Sequence, residues 1–261
     1  MSLRDVRKDA GAERRRGLDQ VWMSVSVGRS IHMRIRPIVI ISAIVIFILG
    51  VGVLYFARTL WYPLYLNVVG RETVASRIAH IDATRKIEIE SLFTQWPPQQ
   101  LTLIAYKQEC ELELWEPGRR VAVFPILAAS GKAGPKLRRG DRQVPEGIYP
   151  IESLNPNSAY HLALRVGYPS AFDREQAARD GRTDLGDDIM IHGGAASIGC
   201  IAIGDPAIEV VFKAVAACGE SRTTALIAPQ RALPLRSEGL PAWVPSMYAE
   251  LYRAIAGAVT H

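Results

Sequence analysis

The stretch DDIMIHGGAASIGCIAIGDPAIEVVF, residues 187–212, contains the elements that decide the fold and the chemistry of this chain. The runs DIMIHG and IGCIAIG indicate two short strands. A segment of glycine, alanine and serine separates them and leaves His192 and Cys200 eight positions apart. If the two strand ends are neighbours in the sheet, the imidazole and the thiol lie within reach of each other.

Catalysis is one interpretation of this pair. A cysteine attacks as its thiolate, and an ordinary thiol pKa of about 8.5 leaves little thiolate at neutral pH, so a nearby histidine that accepts the proton activates it. Gly193 and Gly199 allow close approach of backbone to a substrate, and N–H groups near Cys200 can stabilise a developing oxyanion. Ser197 is a candidate to orient the base or to bind the substrate.

Two other interpretations stay open at this level. A cysteine in an apolar run is commonly a small buried residue, and a histidine at a strand end is commonly a polar residue with its hydrogen bonds satisfied. A zinc site is disfavoured because the H-x7-C spacing has no second ligand pair in a recognised pattern. We therefore expect no metal.

The rest of the chain predicts a mostly β domain with flanking helices. A helical pattern over 71–96 stops at Pro97, and a further helix is expected from Asp205, as N-cap, with Pro206 at the first helical position. Asp173 is expected to cap another helix. Strands are expected at 101–107, 110–118, 121–130, 160–169 and 222–230, and a last helix at 242–259.

A membrane anchor is predicted before this domain. Residues 38–57 are twenty consecutive residues without a charge, which matches a hydrocarbon thickness of roughly 30 Å. Residues 1–36 hold nine Lys or Arg against four acids, which predicts a cytoplasmic N-terminus and an external domain after about residue 58. A cleaved signal peptide is the alternative, although no A-x-A-like site precedes Arg58. Met33 is an alternative start.

The charge distribution argues against nucleic acid as a partner. The net charge of +5 resides in residues 1–36, so the remainder of the chain is neutral. Within that remainder, the loop 131–147 is rich in cations, and Lys136 and Arg138 are candidates to bind a substrate carboxylate. Tyr168 is a candidate to line the cleft.

Three cysteines leave one unpaired thiol in an oxidising compartment. If Cys200 is the reactive one, Cys110 and Cys218 are expected to pair.

A family resemblance emerges from the segment IMIHGGAASIGCIAIGD. It resembles the H-G-x(n)-S-x-G-C signature of the L,D-transpeptidase catalytic domain (YkuD type), in the S-I-G-C-x-A form of its YafK-like murein L,D-transpeptidase branch. TVASRIAHI, WPPQQLTLIAYKQECELELW, FPILAASGKAGPKLRRGDRQVPEGIYPI and ALRVGYPSAFDREQAARDG are similar to that branch in the same order, over roughly residues 73–230. The resemblance implies a mostly β, sandwich-like catalytic fold and no cofactor.

The resemblance also implies roles for individual residues. Cys200 is then the nucleophile that forms a thioester with a diaminopimelate-containing peptidoglycan stem peptide, and His192 is its base. The N–H groups of Gly199 and Cys200 form the oxyanion hole. Two positions depart from the wider family, where many members have His in place of Ile198 and Arg in place of Ala202.

Three outcomes are compatible with these roles. A transpeptidase is preferred, which transfers the peptide to an amine in cell wall biogenesis. A hydrolase of the same family, either an L,D-carboxypeptidase or an amidase that releases proteins from diaminopimelate, is the alternative; a peptidoglycan-linked protein would then be a partner. A non-catalytic peptidoglycan-binding anchor is the alternative of a different class.

The expected organisation has five parts. They are a basic cytoplasmic tail (1–36), a transmembrane helix (37–57), a helical linker (58–98), the catalytic domain (99–232) and a C-terminal helical extension (233–261). The corresponding localisation is a single-pass inner-membrane protein whose catalytic domain is periplasmic.

Overall fold

The computed structural model describes residues 37–232 and 239–260, so the expected tail at 1–36 and the start at Met33 lie outside the described residues. The helices are α1 (Pro37–Phe56), α2 (Arg58–Val69), α3 (Val74–Glu90), α4 (Ala171–Arg179), α5 (Asp205–Cys218) and α6 (Val244–Thr260). The strands are β1 (Leu101–Tyr106), β2 (Glu111–Glu116), β3 (Arg119–Pro125), β4 (Ala128–Ala129), β5 (Gly147–Ser158), β6 (His161–Val166), β7 (Met190–His192), β8 (Ile201–Ala202) and β9 (Thr223–Ala228).

The described residues fall into two units that divide after Phe56. In the first unit, α1 exposes apolar side chains along most of Ile40–Leu54. Within the described ranges, no helix taken singly has the length and hydropathy of a membrane span, whereas the bent pair Ile40–Tyr55 and Arg58–Val69 meets that requirement jointly.

The nine strands described in the second unit belong to one sheet, in the order β3-β2-β1-β9-β5-β6-β7-β8-β4. The twelve-residue strand β5 joins its two halves, because Gly147–Pro150 pairs with β9 while the segment from Ile151 onward pairs with β6. The expectation of a mostly β domain with flanking helices is confirmed. The sandwich-like packing takes the form of a single curled sheet that shares β5 between its halves.

Two apolar cores lie on opposite faces of this sheet. Side chains alternate along β1, so Leu101 and Leu103 join the larger core, which contains α5 and Ile81 of α3. Ile104 and Tyr106 join the smaller core, which contains the apolar face of α6. Helices α5 and α6 therefore cover opposite faces of the sheet.

Most helices and strands lie close to their predicted positions, although the single strand expected at 121–130 is divided into β3 and β4. The longest strand, β5, was not predicted, because Pro150 and Pro156 interrupt its sequence pattern. Asp205 is the first residue of α5 and not its N-cap: Gly204 occupies that position, and Asp205 Oδ1 accepts a hydrogen bond from the Gly194 N–H at 2.7 Å. The N-cap of α4 is Ser170, and Asp173 takes part in the cap as the third residue of the helix: Ser170 Oγ accepts the Asp173 N–H, and Asp173 Oδ2 accepts the Ser170 N–H.

The expected pairing of Cys110 with Cys218 is wrong, since all three cysteines are free thiols. Cys110 is exposed in the β1–β2 turn, where its thiol donates to the Lys107 carbonyl. Cys218 is buried at the end of α5, with its thiol on the Arg222 carbonyl. Each of the two thiols thus contacts a carbonyl group close to it in sequence and not the other cysteine.

Candidate active site

The pairing of β7 with β8 brings the histidine and the cysteine together. The two strands are parallel neighbours, with Ile191 opposite Ile201 and His192 opposite Ala202. Cys200 immediately precedes β8, two residues before Ala202. Because side chains alternate along a strand, Cys200 and His192 point to the same face of the sheet as diagonal neighbours.

His192 is held in one orientation. It is 4% exposed, and its Nδ1 lies 2.6 Å from the carbonyl oxygen of Gly193. A carbonyl oxygen only accepts hydrogen bonds, so Nδ1 carries the ring proton. The neutral ring then has its lone pair on Nε2, which is the atom available as a base.

The thiol of Cys200 is held by backbone groups. Its Sγ donates to the carbonyl of Asp188 at 3.5 Å and accepts the N–H of Met190 at 3.4 Å. Among the described residues, no hydrogen bond joins this thiol to His192. Proton transfer between them therefore requires a rotation of the Cys200 side chain toward Nε2.

Burial sets the protonation of both groups. It raises the pKa of the Cys200 thiol, an effect that Asp188 reinforces and that the Met190 N–H and Lys136 oppose. Burial also lowers the pKa of His192, in the same direction as the nearby charge of Arg58 and against the hydrogen bond to Gly193. At neutral pH the pair is accordingly a neutral thiol beside a neutral imidazole, which is the starting state for general-base catalysis.

The two N–H groups of the expected oxyanion hole are already hydrogen-bonded. The Gly199 N–H donates to Ser130 Oγ at 2.7 Å, and the Cys200 N–H donates to Ser197 Oγ at 3.1 Å. Backbone donors in a protein interior need acceptors, and the two hydroxyls meet that need here. Both are single side-chain atoms, so rotation about χ1 can release the N–H groups.

Glycine is required at two positions of the segment. A Cβ on Gly193 would lie 2.6 Å from Asp205 Oδ1 and from the Tyr160 carbonyl, so the close packing of His192 depends on its absence. Gly199 has φ +84°, a conformation that other residues rarely adopt. It turns the chain into Cys200.

A cavity of about 170 Å³ opens beside Cys200. Its lining combines three cations with two carboxylates and an exposed apolar side chain, namely Lys136, Arg139, Arg142, Asp187, Asp188 and Ile198. Lys136 is bound to Asp141 at 2.6 Å, and Arg139 to Asp184 and Asp187. Within the described part of the chain, the guanidinium of Arg142 forms no ion pair or hydrogen bond, so it is the cation available to a ligand.

The cavity contains only one of the three residues expected to bind substrate. Lys136 lines it, whereas Arg138, on the same loop, does not. Tyr168 is 4% exposed, and its hydroxyl donates to the carbonyls of Lys136 and Leu185 at 3.3 Å. The structure therefore places Tyr168 beneath the cavity, where it ties together two segments of the wall.

Comparison with known proteins identifies the domain that carries this site. Residues 101–227 match the family model of the L,D-transpeptidase catalytic domain, YkuD. The match covers just under half of the chain. The recognition made from the sequence motif is confirmed.

Two of the similar proteins illustrate the range of similarity. YafK of Escherichia coli, a protein named as an L,D-transpeptidase, is 35% identical over 116 residues, which are 42% of this chain and 45% of YafK. The chain thus spans less than half the length of this curated relative. Among solved structures, the helical cell shape determining protein Pgp2 from Campylobacter jejuni is 20% identical, with 68% of this chain and 63% of Pgp2 covered and a TM-score of 0.41.

A residue from outside the matched segment helps to hold the loop that lines the cavity. Buried Glu146 accepts hydrogen bonds from Lys107 Nζ at 2.9 Å and from the Tyr248 hydroxyl of α6. Lys107 Nζ also donates to three carbonyls of the loop 131–147, those of Lys132, Gly134 and Val144. This network fixes the loop that supplies the cations of the cavity.

Several site residues were not predicted from the sequence. Ser130 and Tyr160, whose ring packs on His192, carry no local signal, because their roles depend on segments distant in sequence. Arg142 was one of five basic residues in the loop, and the sequence does not distinguish it from the other four; its positive φ of 57° is a property of the folded loop.

The protonation state of the pair leads to a test. The rate of alkylation of Cys200 by iodoacetamide should rise with pH through and beyond the ordinary thiol value of about 8.5, because burial raises the pKa of this thiol. Mass mapping of the Cys200 peptide across a pH series measures the rate, with a short synthetic peptide of the same sequence as reference. A plateau well below pH 8.5 would instead show a preformed thiolate–imidazolium pair.

Proposed function

We propose that this chain is a cysteine acyltransferase that acts on peptidoglycan stem peptides through a thioester on Cys200. The observation that carries the proposal is the hydrogen bond from His192 Nδ1 to the Gly193 carbonyl, which leaves Nε2 as a base on the same face as the thiol. The match of residues 101–227 to the L,D-transpeptidase catalytic domain supports the substrate class.

The acylation step follows from this geometry. The thiol rotates toward His192, Nε2 takes its proton, and Sγ attacks the carbonyl carbon of a stem-peptide amide. A C–S bond forms, the C–N bond breaks, and the imidazolium returns the proton to the departing amine. An acceptor amine then attacks the thioester, its C–N bond replaces the C–S bond, and the released thiolate recovers a proton by way of His192.

The transition state develops negative charge on the carbonyl oxygen. The Gly199 and Cys200 N–H groups stabilise that charge once the hydroxyls of Ser130 and Ser197 turn away. Those hydroxyls keep the donors satisfied and correctly spaced in the resting site. When substrate binds, its carbonyl oxygen replaces the two hydroxyls as the acceptor for these N–H groups.

The cavity suits a zwitterionic amino acid centre such as that of diaminopimelate. Arg142 is placed to bind a carboxylate, and an ammonium can compete with Arg139 for Asp187 and with Arg165 for Asp188. These lining cations take the place of the arginine that many family members have where this chain has the buried Ala202.

Transfer to an amine is favoured over hydrolysis. Ile198 lines the cavity next to Cys200 with 75% of its side chain exposed, and it stands where many family members have a histidine. An apolar side chain at this place shields a thioester from water and offers no group to activate one. We therefore assign transpeptidation as the outcome.

We also propose that α1 anchors the enzyme in the inner membrane, with the catalytic domain in the periplasm. The support comes from the uncharged run at 38–57 and from the excess of basic residues that precedes it. Peptidoglycan stem peptides are found in that compartment.

The reaction is tested by incubating the full-length protein in detergent with purified muropeptides that carry diaminopimelate stems. New cross-linked dimers and a transient mass adduct on the Cys200 peptide are expected, and Cys200→Ser should abolish both. Shortened stems without dimers would show a hydrolase, and the absence of any adduct would favour a binding module.

Substrate recognition is tested at Arg142. Arg142→Gln should raise the KM for the stem peptide by roughly tenfold or more, because it removes a charged hydrogen bond, while kcat changes little. Arg138→Gln, on the same loop but outside the cavity lining, is the matched control. Equal effects of the two substitutions would rule out a specific role of Arg142.

Anchoring is tested by fractionation. The full-length protein should remain in the membrane pellet after extraction with alkaline carbonate, and external protease should digest its domain in spheroplasts but not in intact cells. Release into the supernatant, or protection of the domain in spheroplasts, would contradict the proposed location.

A further inference from the structure

His192 is packed against a stack of two side chains. The Tyr160 ring lies on the imidazole, with 4.6 Å between the ring centroids and a tilt of 40°. The Arg58 guanidinium lies over the Tyr160 ring at 3.8 Å from its centroid. Arg58 comes from helix α2, more than forty residues before the matched segment 101–227, so the stack joins a helix outside the family domain to the candidate base.

The packing of α2 holds Arg58 in this place. The half-buried residues of the helix, Arg58, Tyr62 and Leu66, recur every four positions and form one stripe. Tyr62 and Leu66 line a cavity together with Asn155 and Asn157 of β5, which shows that this stripe faces the β5–β6 hairpin.

The segment that follows α2 is clamped to the same hairpin. The Glu72 N–H donates to Asn157 Oδ1 at 2.8 Å, and Asn157 Nδ2 donates to the Glu72 carbonyl at 2.7 Å. With one end fixed by this pair and the other by the stack on Tyr160, α2 is a built part of the domain surface beside His192.

We propose that Arg58 is a positioning residue for His192 and acts through Tyr160. The ring of Tyr160 limits rotation of the imidazole, whose Nδ1 is bound to Gly193, and the guanidinium holds Tyr160 by a cation–π contact. Arg58 also places a positive charge near the imidazole, which disfavours a second proton on the ring. The inference rests on the proposed role of His192 as the base for Cys200.

Among the described residues, the titratable groups near the imidazole come from three segments. Arg58 approaches from α2, the Cys200 thiol from the residue before β8, and Asp205 from the start of α5, where its carboxylate is bound to the Gly194 N–H. His161 of β6 directs its Nε2 to Glu209 of α5 at 2.9 Å. Burial is the largest cause of the lowered pKa of His192, and Arg58 is the charge that lowers it further.

The sign of the effect on activity follows. A base with a lowered pKa stays neutral, and therefore competent, to a lower pH. When Arg58 loses its charge, the pKa of His192 should rise, and the acid limb of the pH profile should move to higher pH. A purely structural role would lower the rate without moving that limb.

The experiment compares Arg58→Gln with the wild type, both full-length in detergent. An upward shift of the acid limb of kcat/KM by about half to one pH unit is expected, so that the rate falls by roughly three- to tenfold at pH values well below the limb and stays unchanged at pH 8. Tyr160→Leu should lower kcat, because it removes the surface that connects Arg58 to the imidazole. Arg71→Gln, in the segment between α2 and α3, should leave the profile unchanged.

A second readout separates this inference from the proposed function. NMR titration of the His192 ring, identified by the loss of its signal in His192→Ala, should show the same upward shift in Arg58→Gln whether or not muropeptides are turned over. If turnover depends on His192 but neither the acid limb nor the ring titration moves in Arg58→Gln, the inference is overturned. If the ring titration moves while wild-type turnover is absent, the proposed function fails and the contact stands.

Discussion

The parallel pairing of β7 with β8 is the constraint on which the site depends. It sets His192 opposite Ala202 and thereby puts Cys200 on the face of the imidazole. Parallel strands cannot be joined by a tight turn. The intervening segment 193–200 must therefore cross over, and it does so through glycines, one of which meets Asp205 and Tyr160 too closely for any side chain. The chemistry of the segment is a consequence of this crossover.

Burial gives the site its resting state. A thiolate next to an imidazolium would place two charges where the sheet excludes water, and the shifts in pKa of both groups favour the neutral pair instead. The proton must then move during the attack itself. The orientation of the imidazole therefore matters more here than a preformed ion pair, which is consistent with the contacts that the Gly193 carbonyl and the Tyr160 ring make with it.

The sequence was sufficient for the motif and for most of the regular elements. Local sequence patterns predict elements that the structure contains. Examples are the helical periodicity of 71–96, the strand at 101–107 and the helix after Gly204. What it could not provide are contacts across the sheet. Ser130 reaches Gly199, Tyr160 reaches His192, and Tyr168 turns inward, in each case because a neighbour distant in sequence lies beside it. The strand β5 was not predicted because prolines such as Pro150 and Pro156 are typical of loops.

The position of α6 shows that the matched segment 101–227 is not a complete folding unit. This helix lies beyond residue 227, yet its Tyr248 binds buried Glu146, and its apolar face covers Ile104, Tyr106 and Leu226. A fragment cut at the limits of the matched family would expose that face to solvent and leave the carboxylate of Glu146 without its hydroxyl partner. The evolutionary boundary of the domain and its folding boundary are therefore different, and the second is the one that an expression fragment must respect.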